Sequence, residues 1–219
     1  MNTTQPAKLF LIHGLFVSGS IMAYLRVQLE KCGYDVKVFS YKSVGNSLHE
    51  NAGLLVDFVQ QHRQAGETCH FVGHSLGGLL IRLAYEIAPA LFTGKIVTIG
   101  SPHNGSLVAK RVAEDIHRAV LGGAYDNALD GEMPAWRGEV PLGSIAGTKS
   151  IGVGMAMRDL PRPNDGTVSV SETQLANQSD HLIIDLSHTA LIYSSRVVSQ
   201  VDAFLQNGTF LHDADVAPS

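Results

Sequence analysis

The chain has 219 residues, 45% of them hydrophobic and 16% charged, with a formal net charge of −4. Those figures fit one α/β domain with a sizeable core and exclude a disordered chain. The absence of basic blocks argues against a nucleic-acid partner and an anionic membrane surface, and two cysteines exclude a disulfide framework.

In chain order, Lys8 to Ile12 is an apolar run that predicts a strand ending in a loop at His13-Gly14. Ile21, Tyr24, Leu25 and Leu29 have helical spacing, predicting a helix over Ser20 to Lys31 closed by Cys32-Gly33. Asp35 to Ser40 alternates as a strand, and Leu48, Leu55, Phe58 and Val59 mark a helix over Ser47 to Gln64. A strand over Cys69 to Val72 leads to Ser75, and a helix runs on to Ile87 before Pro89. Lys95 to Ile99, Ser144 to Ala146 and His181 to Leu186 supply three more strands, and Thr189 to Leu205 a final amphipathic helix opened by His188. This alternation calls for a mainly parallel central sheet with helices on both faces, in a single domain spanning residues 1–219. Cys32 and Cys69 are expected to be two separate buried thiols. Met1 to Lys8 shows no signal-peptide pattern, and charges or glycines interrupt every apolar stretch before bilayer length. The expected protein is soluble and cytoplasmic, with no integral membrane segment; secretion stays open if a leader has been removed.

Gly73-His74-Ser75-Leu76-Gly77 places a serine between glycines, after a strand and before a helix. A sharp turn there brings backbones too close for a Cβ and pushes the hydroxyl outward at the positive end of the helix. On its own such a serine is an ordinary polar turn residue, so its partners decide. A nucleophilic serine needs a base, a group that orients the base, and donors for an oxyanion. In a parallel sheet these belong just beyond the carboxyl ends of strands. Of ten histidines, His188 follows a strand and is the favoured base; His181 precedes that strand and falls at the opposite edge. His103 sits at the correct edge but ahead of any acid, so it is expected to line or shape the site; His74 is expected to be buried without a catalytic role. Asp165, in Asn164-Asp165-Gly166-Thr167, lies between nucleophile and base in chain order, ahead of Asp159, Asp180 and Asp185 as alternatives. The backbone amides of Leu15, after the first strand, and of Leu76, at the helix start, are the expected oxyanion donors.

With His13-Gly14-Leu15, Gly73 to Gly78, Ser101-Pro102-His103-Asn104-Gly105-Ser106, Asp165-Gly166-Thr167-Val168 and His188-Thr189-Ala190-Leu191 in this order, the chain resembles an α/β-hydrolase of the bacterial lipase type. The resemblance runs from Leu9 to about Leu205. It implies a minimal form of that fold with the first two strands absent, a triad of Ser75, Asp165 and His188, and an oxyanion hole at Leu15 and Leu76. It also implies hydrolysis of a small-molecule or lipid ester through an acyl-enzyme, without a cofactor. A thioesterase or acyltransferase on the same triad is the enzymatic alternative, and a non-catalytic binding module on the same scaffold a third reading.

Residues 104–143 are expected to form a small cap, because Leu107, Val108, Val112, Ile116 and Val120 have helical spacing over Ser106 to Leu121. Phe16, His103, Met155 and Met157 are the expected substrate-binding residues. Gly147-Thr148-Lys149-Ser150 lacks the spacing and context of a phosphate loop, and no histidine–cysteine grouping has metal-site spacing.

Overall fold

The computed structural model of the protein describes residues 6–114, 120–124, 128–152 and 160–212. Six strands, β1 (Lys8–Ile12), β2 (Asp35–Phe39), β3 (Cys69–His74), β4 (Ile96–Ile99), β5 (Leu142–Gly147) and β6 (Asp180–Ile184), form one sheet in the order β2-β1-β3-β4-β5-β6. Every pairing is parallel, with Leu9 opposite Val36 and His70, and Ile145 opposite Ile99 and Leu182. The strands are nearly continuous apolar runs because a parallel sheet is covered on both sides.

Their alternate residues feed two cores. On one face Phe10, Ile12, Phe71, Ile96 and Leu142 pack under α2 (Leu48–His62) and α3 (Leu76–Ile87). On the other, Leu9, Leu11, Val72, Val97, Ile145 and Ile184 pack under α1 (Ala23–Lys31) and α6 (Ser195–Asn207). Each fully buried Leu or Phe contributes about 1.5–3 kcal/mol of apolar burial. Helix ends are set locally: Ser47 and Glu50 form a reciprocal capping box on α2, and Gly208, at φ 84°, closes α6.

Three local expectations are revised. Residues Gly19–Met22 form a 3-10 turn before α1 rather than its first turn. His188 does not open the last helix. A 3-10 turn over Ala190–Tyr193 intervenes, and Ser194, in extended backbone, caps α6 by accepting from the Val197 amide. Cys32 is exposed at the end of α1, whereas Cys69 is buried in β3; both are free thiols. The helix expected over Ser106 to Leu121 is α-helical as α4 (Leu107–Val112), and residues 115–119 lie outside the described residues. A short α5 (Val170–Thr173) was not expected, although its Ser169-x-x-Glu172 capping box stands in the sequence. Among the described residues no helix is long and apolar enough to cross a membrane.

The sheet order places the site. The chain leaves β1 towards β2 on one side and returns to β3 on the other, so the loops after β1 and β3 diverge from a common crevice. Such a switch point, at the carboxyl ends of the strands, is where ligands bind in open α/β sheets.

Candidate active site

Ser75 joins β3 to α3 with φ 55° and ψ −123°, a conformation that costs a non-glycine residue about 1–3 kcal/mol. Its amide donates to the Ile99 carbonyl at 2.9 Å, pinning the turn to the end of β4. The flanking glycines are required by contact: a Cβ at Gly73 would lie 2.6 Å from the Gly77 carbonyl carbon, and one at Gly77 would lie 2.4 Å from the Ile12 oxygen. The first amides of α3 therefore point at the serine with the helix dipole behind them.

Asp165 follows β5 and is completely buried. One carboxylate oxygen accepts from the Thr167 and Val168 amides at 2.9 and 2.7 Å; the other accepts from Nδ1 of His188 at 2.7 Å. The His188 amide also donates to the Asp165 carbonyl at 2.9 Å. An acceptor on Nδ1 fixes the proton there and leaves Nε2 free to take one. Both side chains lean on Gly100, where any Cβ would come within 3.1 Å of the imidazole and 3.2 Å of the Asp165 carboxylate. Ser75 is thus bonded to Ile99 and the Asp165–His188 pair seated on the next residue, Gly100, at the end of β4.

The rival acids are placed elsewhere. Asp180 begins β6 at the opposite edge, accepting from the Phe210 amide and His212; Asp185 accepts from Thr148. Asp159 lies outside the described residues. His181 sits beside Thr173 at 3.0 Å, away from the serine.

His74 is buried, and its Nε2–H donates to the His188 carbonyl at 3.2 Å, with the two rings 4.7 Å apart. Burial, followed by the proximity of His188, pushes its pKa down to about 3, so it stays neutral beside the pair. His103 does not line the cavity as expected. It is buried between Thr98, 2.9 Å from Nε2, and Arg82, whose guanidinium donates to the His103 carbonyl at 3.3 Å and to the Pro134 carbonyl. A side chain satisfied on both ring nitrogens this deep in the loop shapes the backbone rather than the substrate.

A cavity of about 270 Å³ opens above Ser75 and His188. Leu15, Phe16, Val17 and Ile21 form one wall, and Val108, Ala109, Val112, Leu121 and Leu129 the other. Phe16 stands at its rim, 60% exposed and at φ 59°, with its amide donating to Ser43. Leu15 and Leu76 line the same space, and among the described residues neither amide has an acceptor. Met155 and Met157 lie outside the described residues. Gly100, Thr167 and Thr189, unassigned from sequence, also border the site. Each left a signal in the sequence: Gly100 as a glycine directly after a β-branched strand, and Thr167 and Thr189 as neighbours of Asp165 and His188. No group of three or more His, Cys, Asp or Glu among the described residues could hold a metal.

This site lies within residues 9–202, which match the alpha/beta hydrolase family. The chain belongs to that family. No curated protein sequence matches the hydrolase. Its fold is similar to that of Bacillus licheniformis lipase BlEst2 in mature form, at 20% identity and a TM-score of 0.71, covering 95% of this chain and 94% of that one. It is also similar to the metagenomic carboxyl esterase MGS0156, at 19% identity and a TM-score of 0.66, covering 86% and 66%. YbtT, a type II thioesterase from the yersiniabactin pathway, superposes at 15% identity and a TM-score of 0.64, covering 95% and 96%. At these identities the likeness establishes the shared fold.

Proposed function

We propose that this hydrolase cleaves carboxylic esters of apolar, medium-chain or lipid acids through an acyl-enzyme on Ser75. The observation that carries this reading is the buried Asp165–His188 bond of 2.7 Å beneath the cavity that Ser75 borders in a strained turn.

In the first half-reaction the Ser75 hydroxyl proton passes to Nε2 of His188 as Oγ bonds to the ester carbonyl carbon. The carbonyl oxygen becomes an oxyanion held by the Leu15 and Leu76 amides, each worth about 3 kcal/mol. The carbon–oxygen bond to the alcohol then breaks, and His188 returns its proton to the departing oxygen. In the second half, a water gives a proton to His188 and its oxygen attacks the acyl carbon. The Ser75 ester bond breaks, Ser75 recovers the proton, and the acid leaves. Asp165 stabilises the transient imidazolium and holds its tautomer. His74, being neutral, adds no charge against that cation. Residues 104–114, 120–124 and 128–141 act as the small cap, whose apolar side chains Val108, Ala109, Val112, Leu121 and Leu129 favour an acyl chain over a charged group.

A thioester can load the same serine, and the thioesterase among the structural neighbours makes this the second reading. A chain-length series of nitrophenyl esters and matched thioesters separates the two. The ester reading expects higher kcat/KM on esters, with an optimum at intermediate acyl length; a consistent preference for thioesters would replace it. An organophosphonate should label the wild type and leave Ser75→Ala unlabelled. A folded wild type that takes no label would favour a binding module.

A further inference from the structure

The His13 side chain is wholly buried and uses both ring nitrogens. The Tyr41 amide can only donate, so Nε2, at 3.1 Å, accepts from it. The Gly14 carbonyl can only accept, so Nδ1, at 2.8 Å, carries the proton and donates to it. The ring is further held by stacking on Tyr41, with centroids 4.3 Å apart and planes 17° apart, and the Tyr41 hydroxyl donates to the His13 carbonyl at 3.0 Å.

A bond from an imidazole to the carbonyl one residue ahead has a consequence through peptide planarity. In a trans peptide the Gly14 C=O and the Leu15 N–H point in opposite directions. Drawing the carbonyl towards His13 therefore turns the Leu15 N–H away from the ring. The serine is close by: a Cβ at Gly14 would fall 3.0 Å from the Ser75 Cβ. The freed amide has no acceptor among the described residues, and Leu15 borders the cavity. If this peptide turned over, the Gly14 carbonyl would face the developing negative charge and repel it.

We infer that His13, anchored by Tyr41, is a positioning residue that aims the Leu15 amide at the oxyanion. This assignment rests on the ester-hydrolase reading and extends it by one named device. Burial lowers the His13 pKa, which keeps the ring in the single tautomer that serves both bonds. A protonated ring would set a second N–H against the Tyr41 amide.

The test pairs turnover with a transition-state mimic. An alkyl trifluoromethyl ketone adds to the serine and places a hemiketal oxygen in the hole. His13→Phe keeps the ring stack but removes both nitrogens. It should lower kcat by about 100- to 1000-fold, the range for a lost oxyanion donor, and weaken the ketone by the same factor, with KM within about twofold. His13→Asn, whose amide nitrogen lies near the position of Nδ1, should recover most of both losses. A lowered melting temperature with kcat and ketone affinity unchanged would overturn the assignment, because it leaves only a packing role. Should His13→Phe fail to fold, Tyr41→Phe carries the test, with a parallel loss of about three- to tenfold in kcat and ketone affinity expected from one weakened anchoring hydrogen bond. No loss in that variant would likewise overturn it. If the wild-type protein forms no ketone adduct, the ester-hydrolase reading falls and takes this assignment with it.

Discussion

At the amino edge of the sheet, Lys8 is buried between Asp35 and Glu67, Lys37 meets Asp35 at 2.9 Å, and Lys95 donates to the end of α6 at 2.7 Å. At the carboxyl edge the buried polar groups include the neutral histidines His13, His74 and His103 and the carboxylate of Asp165. Backbone strain divides the same way. Three non-glycine residues among those described have positive φ, and two of them, Phe16 and Ser75, border the cavity. The amino edge compensates its charges and ties elements together. The carboxyl edge keeps its histidines neutral and stores strain beside a cavity walled by apolar side chains. Charge compensation and the candidate site therefore occupy opposite ends of the same strands.

The sharpest way to break that division is Ser75→Gly. Glycine adopts the elbow conformation freely, so the variant should gain about 1 kcal/mol in denaturant unfolding while losing on the order of 10⁶-fold in kcat. A less stable variant would remove strain from the account of this edge. Asp165→Asn should cost about 10⁴-fold in kcat, because the amide favours the wrong His188 tautomer. Phosphonate labelling should slow in step, and wild-type turnover in this variant would dismiss Asp165 as the orienting group.

Acid should expose the neutral histidines. Burial holds His74 at about 3 and His70 at about 4, and also lowers His13 and His103. Below the unfolded value near 6.5 the unfolded chain takes up protons that the folded chain refuses. Stability is thus fully present above pH 6.5 and falls as pH drops. Each group contributes about 1.4 kcal/mol per pH unit until its folded value is reached. Urea unfolding at pH 7 and pH 5 should differ by several kcal/mol, and His103→Gln should flatten the slope; a pH-independent midpoint would contradict the burial. The smallest effect belongs to the amino edge. Lys8→Met should lower stability by roughly 1–3 kcal/mol, by leaving the buried Glu67 carboxylate without its cation and Asp35 with Lys37 alone, with kcat/KM unchanged. A change in turnover would show that the two ends are coupled.

Much of this was legible one-dimensionally, because strands covered on both faces read as short apolar runs and helices carry a 3.6-residue apolar stripe. The elbow was legible too, since only glycine tolerates a Cβ-free approach of 2.4 to 2.6 Å at Gly73 and Gly77. His103 misled because position after a strand says which edge a residue occupies, not which way its ring turns; Arg82 and Thr98, far and near in sequence, decided that. The break at Ser194 was hidden because Thr189 to Leu205 carries apolar residues across it.

Patterns along the chain thus determined the alternation of strands and helices and the glycine-flanked turn at Ser75, because apolar periodicity and glycine spacing are read from neighbouring residues. Only the folded chain decided that Asp165 and His188, 23 residues apart, share a 2.7 Å bond over Gly100, and that His13 holds the peptide bordering Ser75. Those contacts depend on the stacking of β1, β3, β4, β5 and β6, and on which backbone each side chain meets where the strands end. No pattern along a single segment contains that information.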